Sequence, residues 1–205
     1  MPVGELIGDP VDTREELMAA TYQALCEHGY ADLTIQRISD QFPKSKSLLY
    51  HHYDSKDELL VDFLGFVLDH LETTLPHDEG ATAADELTCL LDHVFPTNPT
   101  TEQARFLRAI IELRAQAATN PECQTQCTRS TQYFHAQFSQ IIERGIADGS
   151  FRTVEPDPVA SLLVTTIEGA MLQQATTDTE MLTTVRSELD IYIERRLMTA
   201  DEVDE

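Results

Sequence analysis

Nine consecutive residues, Ser45-Lys46-Ser47-Leu48-Leu49-Tyr50-His51-His52-Tyr53, gather side chains suited to a polyanion. On a helix, Leu49 and Tyr53 lie four apart on one face and point inward, leaving Lys46, Ser47, Leu48, Tyr50 and His51 outward. A cation, a hydroxyl, an aliphatic chain and a phenol on one surface can serve phosphate oxygens, base edges and a thymine methyl. The chain has three lysines, Lys44, Lys46 and Lys56, all within one thirteen-residue window. A solvated basic face on a small bundle is the structural alternative, but such faces rarely collect every lysine of a chain.

A second set of reactive residues is thiol-based. Cys89/His93 and Cys123/Cys127 are i,i+4 pairs, and together they offer a Cys3His ligand set for zinc. Small buried cysteine is also ordinary core material. In a reducing compartment the four cysteines are expected as free thiols. A disulfide between Cys123 and Cys127 is disfavoured, since i,i+4 Cβ atoms lie ~5–6 Å apart where a disulfide needs ~3.8 Å. No G-x-S-x-G, H-E-x-x-H, phosphate-binding glycine loop or Glu-x-x-His pair of a di-iron bundle occurs, so no enzyme activity is expected and no cofactor.

Charge first argues against a nucleic-acid partner. The 205 residues carry 36 Asp+Glu against 14 Lys+Arg, a net charge of −22, and the isoelectric point is near 4.4. The distribution reverses that argument. From Tyr30 to Lys56 there are four basic and three acidic residues, whereas from Asp57 onward there are nine basic and 27 acidic, a local charge of −18. A near-neutral segment on a strongly acidic body is what a polyanion contact requires. Few lysines and many carboxylates point to a halophile's cytoplasm, where molar salt shortens the Debye length to ~3 Å. No run approaches the ~18–20 apolar residues of a membrane span, and Met1–Pro10 has neither a basic nor an apolar leader region. A soluble, cytoplasmic protein is expected.

The elements that must position these residues read as helices almost throughout. Overlapping capping signals (Asp12 with Glu15, Thr13 with Glu16) open a helix that Gly29 ends. Thr34 caps a short helix buried through Ile35, Ile38 and Phe42 and ended by Pro43. Ser45 caps the recognition segment, and Ser55 with Glu58 starts a long helix through Leu59, Leu60, Phe63, Phe66, Val67 and Leu71. Further helices are expected near 84–95, 102–118, 123–147, 158–175 and 179–198, with Asp157-Pro158 as N-cap and N1 of the penultimate one. The fold class is all-α. The expected organisation is an N-terminal tail over 1–11, a three-helix helix-turn-helix domain over 12–56, and a larger helical effector-binding and dimerisation domain over 57–205.

From Arg14 to Leu60 the chain resembles the DNA-binding domain of the TetR family of transcriptional regulators. The matching stretches are Gly29-Tyr30, Leu33-Thr34-Ile35, Ile38, Ser45 through Tyr53, and Ser55-Lys56-Asp57-Glu58-Leu59-Leu60. The resemblance implies a homodimer on a roughly palindromic double-stranded DNA operator. It places Thr34 and Lys56 on phosphates, Lys46, Ser47 and Leu48 near bases, and Tyr50 and His51 at the backbone; Arg37 and Lys44 complete the expected DNA-binding set. Where the family usually has a small residue and glycine in the turn, this chain has Phe42 and Pro43, so the turn must be built differently.

Resemblance to the C-terminal half is looser, carried by Ile142 through Arg152 and by Asp157-Pro158. It implies that the last two helices pair between protomers, with Leu163, Ile167, Ala170, Met171, Val185, Leu189 and Tyr192 as interface; the chain's own core is the alternative use of that stripe. Phe63, Phe66, Phe106, Ile110, Leu113, Phe134 and Phe138 suggest a pocket for a small apolar effector, with Arg114 or His135 as polar anchors, though core packing explains each aromatic equally well. The expected function is a ligand-responsive repressor released by that effector. Two alternatives stand beside it: an interaction protein of the same family without operator binding, and a thiol- or metal-responsive regulator using Cys89, His93, Cys123 and Cys127.

Overall fold

The computed structural model describes residues 10–44, 46–74 and 82–199. Among them the regular structure is helical: α1 (Thr13–Asp32), α2 (Ile35–Gln41), α3 (Lys46–His52), α4 (Lys56–Thr74), α5 (Ala83–Val94), α6 (Thr101–Gln116), α7 (Pro121–Asp148), α8 (Pro156–Thr176) and α9 (Leu182–Arg196). One isolated antiparallel bridge joins Phe151 to Met198. No described helix is long and apolar enough to cross a membrane.

Helix ends follow the local chemistry of the sequence. Asp12 accepts from the Glu15 amide at 2.9 Å, and Gly29 leaves helical geometry at φ 69°, ψ 171°, with a short continuation to Asp32. Thr34 accepts from the Arg37 amide at 3.2 Å. Ser55 accepts from the Glu58 amide at 3.1 Å, while the Glu58 carboxylate reaches the Asp54 amide rather than that of Ser55. Helix α8 differs from expectation: it begins at Pro156 after Glu155, which makes no side-chain cap bond. Asp157, read as its cap, instead accepts from the Ser139 hydroxyl at 2.9 Å.

The chain forms two compact units, residues 1–74 with 99–128 and residues 75–98 with 129–205. In the first, α1 packs most extensively on α6. Its core includes Tyr22, Leu25, Ile38, Phe42, Leu49, Leu60, Phe63 and Leu113. In the second, α5, the later part of α7, α8 and α9 enclose Leu87, Phe95, Phe138, Ile142, Phe151, Leu163 and Leu197.

Candidate nucleic-acid interface

Helix α3 has seven residues, too few to hold its shape alone in water, so its neighbours must fix it. Three anchors do so. Before it, no described residue of the turn is left-handed: Phe42 keeps φ −88° and bonds back to the Ser39 carbonyl at 3.3 Å, burying its ring in the core. This is how the chain accommodates Pro43, which cannot take positive φ. Lys44 leaves the turn and reaches Glu16 at 2.5 Å and the Thr13 hydroxyl at 2.6 Å, tying it to the first turn of α1. At mid-helix, Leu49 is fully buried. After the helix, the Tyr53 hydroxyl donates to the Asp62 carboxylate on α4.

With Leu49 and Tyr53 held inward, Tyr50 stands 56% exposed, and His51 and His52 are exposed with their rings in edge contact at 5.6 Å. Ser45 lies outside the described residues, as do the side chains of Lys46, Ser47 and Leu48. The two remaining lysines of the window have structural ties. Lys44 holds the turn, and Lys56 donates to the Tyr30 carbonyl at 3.2 Å while lying 4.2 Å from the Tyr30 ring centroid. Arg37 bonds to the Asp32 carbonyl, and Thr34 is engaged as a cap. Thr34 and Lys44 are exposed and Arg37 and Lys56 part-exposed.

The sequence marks Tyr53 only as inward-facing and Arg14 only as the start of the family-like stretch, and it gives no signal for Asp62. Arg14 donates to Asp62 at 2.7 Å and lies 5.3 Å from the Phe66 ring centroid. Partial burial pushes the Asp62 carboxyl up, but the hydrogen bonds from Arg14 and Tyr53, with the Arg14 charge, outweigh it and lower its pKa. Arg14 is raised in turn, chiefly by its bond to Asp62. Partners 48 residues apart leave no periodic signal in a sequence.

The other expected sites are distributed differently. Phe63 and Phe106 meet edge-to-face at 6.3 Å, and Tyr22 lies tilted against Phe106 at 4.7 Å; Phe66, Ile110 and Leu113 complete the same core. Arg114 is half-buried in that unit. Phe134 and Phe138 belong to the second core, and His135 Nε2 lies 3.2 Å from the Asp157 carbonyl and 3.1 Å from the Ser161 hydroxyl. None of the nine expected pocket residues lines either of two surface depressions, one of about 520 Å³ beside Val154, Pro158 and Tyr192 and one of about 370 Å³ beside Gln23, Cys26 and Arg105.

Two other expected sets, the thiol pairs and the dimer stripe, fall as follows. Cys89 and His93 belong to one unit and Cys123 and Cys127 to the other, and no group of three or more His, Cys, Asp or Glu among the described residues is placed to hold a metal. Helical spacing placed each pair on one face but carried no information about bringing the pairs together. The stripe expected at the dimer interface packs within the chain as well. Leu163, Ile167, Ala170 and Leu189 are buried in the second core, with Met171, Val185 and Tyr192 packed against it.

Comparison with known proteins agrees with this architecture. Residues 17–63 match the model of bacterial regulatory proteins of the tetR family, and residues 83–197 match that of the BetI-type transcriptional repressor C-terminal region. The chain belongs to the TetR family of transcriptional regulators, which carry a helix-turn-helix DNA-binding domain and are not enzymes. A TetR transcription regulator from Haloarcula marismortui superposes with a TM-score of 0.81 at 34% identity, covering 91% of this chain and 99% of that one. The HTH-type transcriptional repressor AcnR of Corynebacterium efficiens is 22% identical over 91% of this chain and 95% of its own length. A transcriptional regulator from Rhodococcus sp. Rha1 shares the fold with a TM-score of 0.73 at 21% identity, covering 90% of this chain and 95% of the other.

Proposed function

We propose that the protein is a ligand-responsive repressor that reads a palindromic operator as a homodimer, with α3 in the major groove. The observation that supports this most strongly is the clamped recognition helix: Leu49 buried, Tyr53 tied to α4, and Tyr50, His51 and His52 turned outward. Dimeric readers of this kind place their half-sites about one helical turn, ~34 Å, apart. An effector that favours another separation of the two α3 helices weakens DNA binding, and the linkage is reciprocal. The effector proposed is small and apolar, held either beside Phe63 and Phe106 in the first unit or beside Phe134 and Phe138 in the second.

For the dimer we propose the outward face of α8 instead of its buried stripe. Leu162 and Leu172 are 45% and 48% exposed. Thr165 and Gly169 lie between them at heptad-like spacing, and a Cβ at Gly169 would meet nothing within 4 Å. This uncharged strip on a −22 chain suits close approach of a second copy. The charge itself supports cytoplasmic work at high salt, where self-repulsion is screened.

The test is selection of duplexes from a random library, followed by anisotropy titration across salt concentrations. An enriched inverted repeat whose affinity falls with added salt supports the reading. No enrichment at any salt rejects it. Light scattering of Leu162→Asp and Leu172→Asp addresses the dimer face, and variants that remain dimeric at micromolar concentration reject that face.

A further inference from the structure

The Asp62 carboxylate bonds two side chains from different helical elements. One oxygen accepts from Arg14 of α1 at 2.7 Å, and the other accepts from the Tyr53 hydroxyl at the end of α3. Asp62 is only part-buried, and Arg14 is braced over Phe66 of the same helix α4. We propose that Asp62 is a positioning residue for operator reading: it fixes the exit of the recognition helix to α4 through Tyr53 and fixes α4 to α1 through Arg14. This rests on α3 being the element that enters DNA.

The physical case concerns what orients a seven-residue helix. Its entry is held by Lys44 on Glu16 and Thr13, and its middle by Leu49 in the core. With those two anchors alone the helix can still pivot about Leu49, swinging its exit end. The Tyr53 amide closes the helix onto the Leu49 carbonyl at 3.1 Å, so fixing the Tyr53 hydroxyl fixes the last turn, where Tyr50, His51 and His52 stand. Base-edge hydrogen bonds demand defined geometry, whereas phosphate attraction tolerates displacement. The Asp62 tie should therefore govern discrimination between sequences more than overall attraction to DNA. Because Asp62 lies on α4, a displacement of α4 reaches α3 at this point.

Tyr53→Phe removes the hydroxyl and keeps the ring, Asp62→Ala removes the acceptor, and the double variant tests whether the two act as one unit. The probe is the duplex enriched by wild-type protein from a random library, compared with a scrambled duplex of equal length, with thermal unfolding measured in parallel. Each single variant is expected to lose on the order of tenfold in affinity for the enriched duplex. Affinity for the scrambled duplex should stay within about twofold, as phosphate contacts dominate it. The double variant should lose no more than the larger single. Should Tyr53→Phe bind the enriched duplex as wild type does, or lose both duplexes in parallel with its thermal stability, the positioning role is overturned. If the wild-type protein enriches no sequence, the reading of α3 as a recognition helix falls, and this role falls with it.

Discussion

Gly145 lies in α7 where the Phe151 ring returns over it, and a Cβ there would sit 2.3 Å from Cδ2, 2.6 Å from Cγ and 2.8 Å from Cε2 of that ring. Ordinary contact begins near 3.4 Å, so the ring must retreat by about 1 Å in Gly145→Ala. The ring has little room to do so. Phe151 is 3% exposed, its amide bonds to the Gly145 carbonyl at 2.7 Å, and its backbone bridges Met198. Overpacking of this kind costs ~1–3 kcal/mol. Against it stands the gain of Ala over Gly inside a helix, ~0.8–1 kcal/mol. Because the ring is held this tightly, the upper part of that range, ~2–3 kcal/mol, applies; the net expectation is destabilisation of about 1 to 2 kcal/mol, a fall in Tm of roughly 2–8 °C for a chain of this size. The sign is decisive, because without the clash the substitution would raise Tm. Calorimetry on wild type, Gly145→Ala, Phe151→Leu and the double variant gives the coupling directly, and the double should recover part of the loss. A Gly145→Ala protein as stable as wild type refutes the reasoning.

Leu49→Ala should lower stability by ~2–5 kcal/mol and loosen α3, which denaturant titration with amide exchange at Tyr50–His52 would register. Gly29→Ala meets no neighbouring atom but must adopt φ 69°, ψ 171°, a region essentially limited to glycine; a cost of ~1–3 kcal/mol is expected in thermal melts. Among the four thiols, exposed Cys89 should react first with a chromogenic disulfide in the native protein. Burial pushes Cys26 up to about 11, and burial with the adjacent Cys127 thiol pushes Cys123 up to about 11, so fast labelling of Cys123 contradicts this core. Asp62 has a lowered folded pKa, so its stabilisation is present above the ordinary carboxylate value, ~3.9, and is lost as pH falls through the folded value. Asp62→Asn should therefore be less stable than wild type at pH 6, and the difference should shrink towards pH 2; a constant difference in denaturant midpoints would count against it.

Capping and periodicity are local signals, and the features that depend on them were legible in the sequence. Asp12, Thr34 and Ser55 sit at the helix starts they were expected to make, Gly29 breaks its helix, and Leu49 faces inward. The start of α8 was misplaced because Pro156 and Pro158 both suit a first turn, and the Asp157 side chain was taken by Ser139 instead of the backbone. Lys44 and Lys56 read as simple cations, yet each has a partner in α1 that only folding supplies.

Local rules determined that this chain is helical, where its helices begin, and which segment of an acidic protein was kept near neutral for a polyanion. They rest on interactions within about one turn, which the order of residues specifies directly. Tertiary structure decided which side of α8 faces the protomer's own core, leaving Leu162 and Leu172 outward while Leu163, Ile167 and Ala170 are enclosed. It also kept the two thiol pairs in separate units and joined Arg14, Tyr53 and Asp62 into one node. These outcomes depend on which helices pack together. A periodic stripe records that a face must be covered, and the identity of what covers it is fixed only when distant segments compete for the same surface.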